Sequence, residues 1–103
     1  MTEGPRTLDQ ALGRVIARRR SEGPWSQKEM ADLLGTSRAR LANFEQGRQP
    51  IPQTFLWECA ALFSCQPSDF MIEAEELLRA QGIVPTASSV NPTVRNIGRS
   101  LGF

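Results

Sequence analysis

The sequence predicts an all-α domain of five helices followed by a short tail. Apolar residues recur at helical spacing in five successive segments, and the first 82 residues contain no equally strong alternation typical of a β-strand. Glycine and proline separate these segments, as is usual at helix ends. A chain of 103 residues, 40% of them apolar, can bury one small core. We therefore expect one domain over residues 7–82 and a tail over residues 83–103.

The first helix is predicted over residues 7–21, and Gly23 and Pro24 follow its end. Its apolar stripe consists of Leu8, Leu12, Val15 and Ile16. Arg18, Arg19 and Arg20 lie in its last turn, where positive charge complements the helix dipole.

The second helix has a strong start signal. Ser26 is placed to cap it, and Glu29, three residues later, completes a capping box. Trp25 and Met30 occupy the two positions of a hydrophobic staple. Gly35 ends the helix, because glycine tolerates the left-handed conformation of a tight turn. The predicted buried stripe is Met30, Ala31 and Leu34.

The third helix is predicted over residues 38–45, only about three residues after the second. Ser37 is a suitable N-cap for it, and Gly47 and Pro50 stop it. The sequence therefore places two short helices on either side of a tight glycine turn.

The fourth and fifth helices complete the predicted domain. The fourth covers residues 52–63, with Pro52 in the first helical position. We expect it to be mostly buried through Phe55, Leu56, Cys59, Leu62 and Phe63. The fifth begins at Pro67 and stops before Gly82. We expect Phe70, Ala74, Leu77 and Leu78 to face inward and Glu73, Glu75 and Glu76 to face outward.

The tail begins with a predicted linker over residues 83–90, and Asn91 and Pro92 then form a helix-start pair. Val94, Ile97 and Leu101 mark an apolar stripe beside Arg95 and Arg99. A stripe this small does not fold alone. It packs on its own domain, on a second copy or on another protein, or it stays disordered.

Charge is distributed unevenly, although the formal net charge is only +1. Residues 1–50 carry nine basic and six acidic side chains, whereas residues 51–78 carry five acidic ones and no basic one. We expect one cationic face and an acidic opposite end.

Several classes of protein are disfavoured by composition. No apolar run reaches the roughly 18 residues of a membrane span, and the amino-terminal residues do not resemble a signal peptide, so we expect a cytoplasmic protein without membrane association. Cys59 and Cys65 are expected to be reduced thiols, and with no histidine in the chain we expect no metal and no cofactor. The absence of histidine, tyrosine and a phosphate-binding glycine loop argues against an enzyme.

The segment SQKEMADLLGTSRARLANFEQGRQP resembles the DNA-binding domain of the lambda-repressor and Cro type, the XRE family of helix-turn-helix proteins. The resemblance covers roughly residues 8–72 and all five predicted helices. Its most specific positions are Gln27, Ala31, Gly35, Leu41, Phe44, Glu45, Gly47 and Pro50. It implies a five-helix lambda-repressor-like fold that binds double-stranded DNA through the third helix.

A helical wheel divides the third helix into two sides. Leu41 and Phe44 point toward the domain, so the opposite side is centred on Ala39, Ala42 and Asn43, with Arg38 close by. Arginine and asparagine are the side chains that bond guanine and adenine bidentately in the major groove. We predict that Arg38 reads guanine, that Asn43 reads adenine and that Ala39 contacts a thymine methyl group. Arg40 lies at the flank, within reach of a base or a phosphate.

The resemblance also implies residues that position the domain on DNA. It assigns phosphate contacts to Gln27 and to the backbone around Gln46 and Gly47, and we add Ser37 and Arg48 to this set. The alternative for these side chains is an ordinary solvated surface. The family commonly pairs an arginine at the end of the first helix with a glutamate at the end of the third, which here are Arg20 and Glu45.

The functional hypothesis is a transcriptional repressor of bacterial or phage type. It binds an inverted-repeat operator as a homodimer, with two recognition helices about 34 Å apart. Val94, Ile97 and Leu101 provide the dimer or partner contact. The alternative is an antitoxin, whose tail binds a toxin and whose DNA binding controls the shared operon. A third interpretation is an interaction adaptor that has kept only the fold.

Overall fold

The computed structural model describes residues 4–86, and every regular element within them is an α-helix. These elements are α1 (Leu8–Glu22), α2 (Gln27–Leu33), α3 (Arg38–Glu45), α4 (Gln53–Phe63) and α5 (Pro67–Ala80). The predicted all-α class is confirmed; the bounds of α3 agree with the prediction, and those of α1 differ by one residue at each end. The tail contacts predicted at Val94, Ile97 and Leu101 lie outside the described residues, and the division at residue 83 stays a prediction.

Capping boxes define the starts of α1 and α2. In α2 the Glu29 N–H donates to Ser26 Oγ at 3.1 Å, and the Ser26 N–H donates to Glu29 Oε1 at 2.9 Å, as predicted. The hydrogen bond from the Ser26 backbone lowers the pKa of the Glu29 carboxyl. Thr7 and Gln10 form the same reciprocal arrangement at α1, where no capping box was predicted. Both helices therefore begin at a defined residue.

The core lies where α1 packs against α3 and α5, with α2 packed on α3 and α4 on α5. The Phe44 and Phe55 rings join α3 to α4, with centroids 4.6 Å apart. Cys59 is fully buried, and this burial raises the pKa of its thiol to about 12. The largest fully buried side chains are Phe44, Phe70, Ile16, Met30, Leu41, Val15 and Cys59. One continuous core therefore supports all five helices.

The fourth helix is amphipathic rather than mostly buried. Phe55 and Cys59 face the core, but Trp57 on the other side is 69% exposed. Neighbouring helices cover only one side of α4, and this cannot be inferred from a run of apolar residues. Pro52 is the N-cap and not the first helical residue. The helix ends at Ser64 in the left-handed conformation, with φ of 55°.

The prediction for Glu73 was wrong, because it does not face solvent with Glu75 and Glu76. Its carboxylate is half-buried and lies 3.0 Å from Arg19 Nε and 3.5 Å from Arg18 Nη2. The cause is the packing of α5 along α1, which brings the arginine-rich end of α1 to α5. Two of the three arginines assigned to the helix dipole thus join α1 to α5.

No helix within residues 4–86 is both long and apolar enough to cross a lipid bilayer. The same residues contain no cluster of three or more side chains suited to holding a metal ion.

Candidate nucleic-acid interface

The α2 and α3 helices form a compact unit around a tight turn. Gly35 adopts the left-handed conformation that was predicted, with φ of 68°. The Thr36 N–H donates to the Ala31 carbonyl at 2.9 Å, so the turn closes directly on the end of α2. Ser37 Oγ then accepts the Arg40 N–H at 3.0 Å and caps α3, as predicted. Ala31 is 1% exposed, and its small side chain suits the place where the helices meet.

The third helix has a packing side and an outward side. Leu41 and Phe44 are 0% and 1% exposed, whereas Arg38 and Ala39 are exposed. Asn43 is half-buried at the edge of the outward side, and Ala42 lies beside it with a similar exposure. An α-helix with its side chains is about 10–12 Å in diameter, which matches the width of about 12 Å of the DNA major groove. The small outward residues of α3 permit close approach to a surface.

Arg40 lies on the flank of α3 and contacts its own domain. Its guanidinium carbon lies 4.7 Å from the centroid of the Phe44 ring. Its Nη1 donates to Thr36 Oγ1 at 3.3 Å. These two contacts direct Arg40 away from the centre of the outward side, so a base contact would require it to leave both.

Glu45 is the one charged residue among the buried side chains of residues 4–86, and three hydrogen bonds hold it. Arg20 donates to both of its carboxylate oxygens, at 2.6 Å from Nε and 3.1 Å from Nη2. The Gln27 amide donates to Glu45 Oε1 at 2.8 Å. The hydrogen bond to Glu45 raises the pKa of the Arg20 guanidinium, so Arg20 keeps its positive charge at physiological pH. The end of α1, the start of α2 and the end of α3 thus meet at one carboxylate.

The residues predicted to contact phosphates lie at or next to helix ends within the helix-turn-helix unit. Gln27 is the first residue of α2, half-buried beside Glu45. Ser37 is exposed at the start of α3, and Gln46 is exposed as the C-cap of the same helix. The exposed Arg48 follows, and its N–H donates to the Asn43 carbonyl at 2.9 Å.

Close packing of α1 on α3 sets the position of α3, and helical periodicity did not predict this contact. A Cβ atom at Gly13 would lie 2.2 Å from the Phe44 carbonyl oxygen, so only glycine fits. A Cβ atom at Gly47 would lie 2.8 Å from the Cα of Gln10. The Ile51 N–H donates to Asp9 Oδ1 at 3.1 Å and joins the loop after α3 to the start of α1. A glycine inside a predicted helix was the only available signal of this contact.

A family model described as a helix-turn-helix domain matches residues 11–69, more than half of the chain. The chain belongs to the helix-turn-helix domain family. The matched region includes α2, the Gly35 turn and α3, so the family assignment and the geometry concern the same residues.

A curated relative of this helix-turn-helix protein is the competence pilus inhibition repressor of Acinetobacter baylyi. The two are 30% identical over 66 residues, which is 64% of this chain. The match spans 60% of the relative's length.

Two crystal structures of the clp gene regulator ClgR from Corynebacterium glutamicum have the same fold. One superposes with a TM-score of 0.67 at 23% identity, covering 76% of this chain and 99% of ClgR. The other has a TM-score of 0.70 at 21% identity and covers 94% of both chains. The predicted helix-turn-helix fold is therefore confirmed.

Proposed function

We propose that this helix-turn-helix protein is a sequence-specific repressor, which binds an inverted-repeat operator in double-stranded DNA as a homodimer. The two-sided character of α3 carries the proposal. Leu41 and Phe44 are buried in the core, which leaves Arg38, Ala39 and Asn43 on the side or edge that would face the major groove. The exposed Arg38 beside the small residues Ala39 and Ala42 suits direct contact with base edges.

In this proposal Arg38 bonds a guanine, Asn43 an adenine, and Ala39 contacts a thymine methyl group. Arg40 stays on Phe44 or turns to a phosphate or a base at the flank. The short side chain of the half-buried Asn43 could contact only a base close to the edge of α3, whereas the longer, exposed side chain of Arg38 could reach further into the groove. Base discrimination should therefore depend more strongly on Arg38.

Phosphate contacts from Gln27, Ser37, Gln46 and Arg48 would fix the register of α3 in the groove. The primary amide of Gln27 has two N–H donors, and only one is needed for the 2.8 Å hydrogen bond to Glu45. Its second donor is thus available to a phosphate while Glu45 holds the amide in place. Exposed Gln46 and Arg48 supply the contacts at the opposite end of the unit.

Two considerations support the repressor and the homodimer. The A. baylyi relative is named as a repressor. A single eight-residue recognition helix reads few base pairs, whereas two related by a two-fold axis read half-sites about 34 Å apart.

Selecting bound fragments from a random pool of DNA duplexes tests both sequence-specific binding and the homodimer. We expect an inverted repeat with half-site centres about 10 base pairs apart. An enriched motif without two-fold symmetry would contradict the dimer, and no enrichment would contradict sequence-specific binding.

Replacing Arg38 with alanine is expected to weaken operator binding by about 1–3 kcal/mol and to relax preference at one base pair in each half-site. Fluorescence anisotropy with the selected operator and with each single-base variant measures both effects. Arg18→Ala is the matched control, because Arg18 is bound to Glu73 on α5 and its loss removes the same charge. Equal weakening on all duplexes would contradict base reading by Arg38.

Replacing Ile97 with aspartate is expected to convert the dimer to a monomer, if the stripe of Val94, Ile97 and Leu101 makes the dimer contact. A buried unpaired carboxylate is strongly unfavourable at an apolar interface. Asn96→Asp adds the same charge on the other side of the predicted tail helix and should remain dimeric. Sedimentation equilibrium gives the mass of each variant. A dimeric Ile97→Asp protein would exclude the tail as the dimer contact.

A further inference from the structure

A polar cleft of about 400 Å³ opens beside the C-terminal end of α3. It lies between that helix and the segment that leads into α1. Arg6, Arg14 and Glu45 are its charged lining residues, and Gly4, Pro5, Gln10 and Gln46 complete the lining. Neither Arg6 nor Arg14 belongs to the predicted DNA-contacting set, so the cleft brings two additional cations to the end of the recognition helix.

The segment that carries Arg6 is fixed to the domain. Pro5 is buried, and the Arg6 N–H donates to Gln10 Oε1 at 2.8 Å. Gly4 lies so close to Gln81 at the end of α5 that a Cβ atom there would be 2.1 Å from Nε2. Arg14 projects from the second turn of α1, itself packed tightly on α3 through Gly13. The backbone positions of both arginines are thus set by the fold.

The cleft has a positive balance despite the presence of Glu45. The Glu45 side chain is only 4% exposed, and its charge is compensated by Arg20. Arg6 and Arg14 are both exposed to solvent. The lining residues carry two positive charges and one negative charge, so their formal charge is positive, which favours an anionic ligand.

The cleft also lies where DNA would pass in the proposed complex. It shares Gln46 with the predicted phosphate contacts, and Gly47, the next residue, packs against Gln10 of the cleft wall. We infer that the cleft binds a backbone phosphate of the DNA strand flanking the recognition helix, with Arg6 and Arg14 as donors to its oxygens. This inference rests on the proposed DNA-binding function and extends the phosphate contacts to a site before the helix-turn-helix unit. Arginine suits the site, because its planar guanidinium matches phosphate oxygens.

Salt dependence of operator binding tests this site in the full chain. Kd is measured by anisotropy at several KCl concentrations for the wild type, Arg6→Ala, Arg14→Ala and Arg18→Ala. Each of the first two variants should reduce the magnitude of the slope of log affinity against log salt by up to about 1, because the phosphate in the cleft is then less completely neutralised and fewer counterions are released. Base preference should not change in any of them. Arg18→Ala should keep the wild-type slope, because Arg18 is one turn away on the same helix but faces Glu73.

Neutral phosphate analogues identify the phosphate itself. Operator duplexes carrying one methylphosphonate at successive flanking positions should include a position that weakens binding of the wild type but causes a smaller loss in Arg14→Ala, which keeps only the Arg6 contact. Arg14→Lys should restore most of the slope, because lysine also neutralises a phosphate. Thermal unfolding of every variant shows whether it is folded. If Arg14→Ala is unfolded, the salt dependence of Arg6→Ala alone tests the site, because Arg6 lies outside α1.

The outcomes separate this inference from the proposed function. If Arg6→Ala and Arg14→Ala behave as Arg18→Ala does, while Arg38→Ala loses base preference, the cleft does not bind phosphate and the proposed function stands. If the wild type binds no duplex at any salt concentration, both fall together. Slopes reduced only in the two cleft variants establish the site.

Discussion

Replacing Gly13 with alanine is expected to destabilise the domain, by at least the roughly 1–3 kcal/mol typical of an overpacked core. The new Cβ would lie 2.2 Å from the Phe44 carbonyl oxygen and 2.9 Å from that of Glu45. Both atoms belong to the backbone of α3, so no side-chain rotation relieves the contact. Either α1 moves away from α3 or the end of α3 distorts.

The sign of this effect is the informative part. In an exposed helix interior, glycine to alanine stabilises by about 1 kcal/mol, because alanine has the higher helix propensity. A net loss of stability in Gly13→Ala would therefore mean that the steric cost of the new Cβ atom exceeds the gain in helix propensity. The substitution should also weaken operator binding beyond the loss of stability, since a displaced α1 alters the position of α3 and of the phosphate-contacting groups at its end. Urea denaturation and anisotropy at a temperature where the variant is folded measure the two effects separately.

Gly35→Ala is the matched control. Gly35 has φ of 68°, but a Cβ atom there would meet nothing within 4 Å. Alanine at this position costs only the strain of a left-handed residue, about 1–2 kcal/mol. A Gly13→Ala protein as stable as the wild type, or more stable, would contradict the close packing of α1 on α3.

The local features of this fold were predictable because they depend on neighbours in sequence. The capping box of Ser26 and Glu29, the left-handed Gly35 and the bounds of α3 all follow from signals within a few residues. The resemblance supplied the pairing of Arg20 with Glu45, and the structure places the two in contact. Local pattern alone would not have joined residues 25 positions apart.

Features that depend on which helices meet were not predictable from periodicity. Glu73 had the spacing of a solvent-facing residue, yet α5 lies along α1 and brings it to Arg18 and Arg19. Gly13 offered no more than an unexplained glycine in a helix. The position of Arg6 depends on a segment folded back against Gln81, so the cleft beside α3 was invisible in the sequence. In each case the missing information is a long-range contact.

Replacing Glu45 with alanine is expected to lower the free energy of unfolding by about 3 kcal/mol. Removing one partner of a buried ion pair typically costs about 3–5 kcal/mol, because the other charge is left without a partner. The lower end applies here, since the Arg20 side chain is 17% exposed and is partly solvated. The Gln27 amide loses its acceptor as well. For a small domain with a total stability of about 5–15 kcal/mol, this is a large fraction.

The surface pair of Lys28 and Asp32 provides the internal comparison. It has a similar N–O distance, 3.0 Å, but its side chains are 74% and 65% exposed. Asp32→Ala should therefore cost less than about 1 kcal/mol. Urea denaturation of both variants measures the difference, and a double-mutant cycle with Arg20→Met separates the pair energy from the loss of Gln27's acceptor. A midpoint unchanged in Glu45→Ala would contradict its structural role.

DNA binding by the folded Glu45→Ala protein completes the argument. Base preference should be retained, because Glu45 is buried and lies about two turns along α3 from Arg38. Affinity should decrease on all duplexes together, because Gln27 is no longer held for its phosphate. Arg38→Ala should show the opposite pattern, with stability retained and preference lost at one base pair. The pair of variants therefore separates the stabilising function of the end of α3 from the base-reading function of its start.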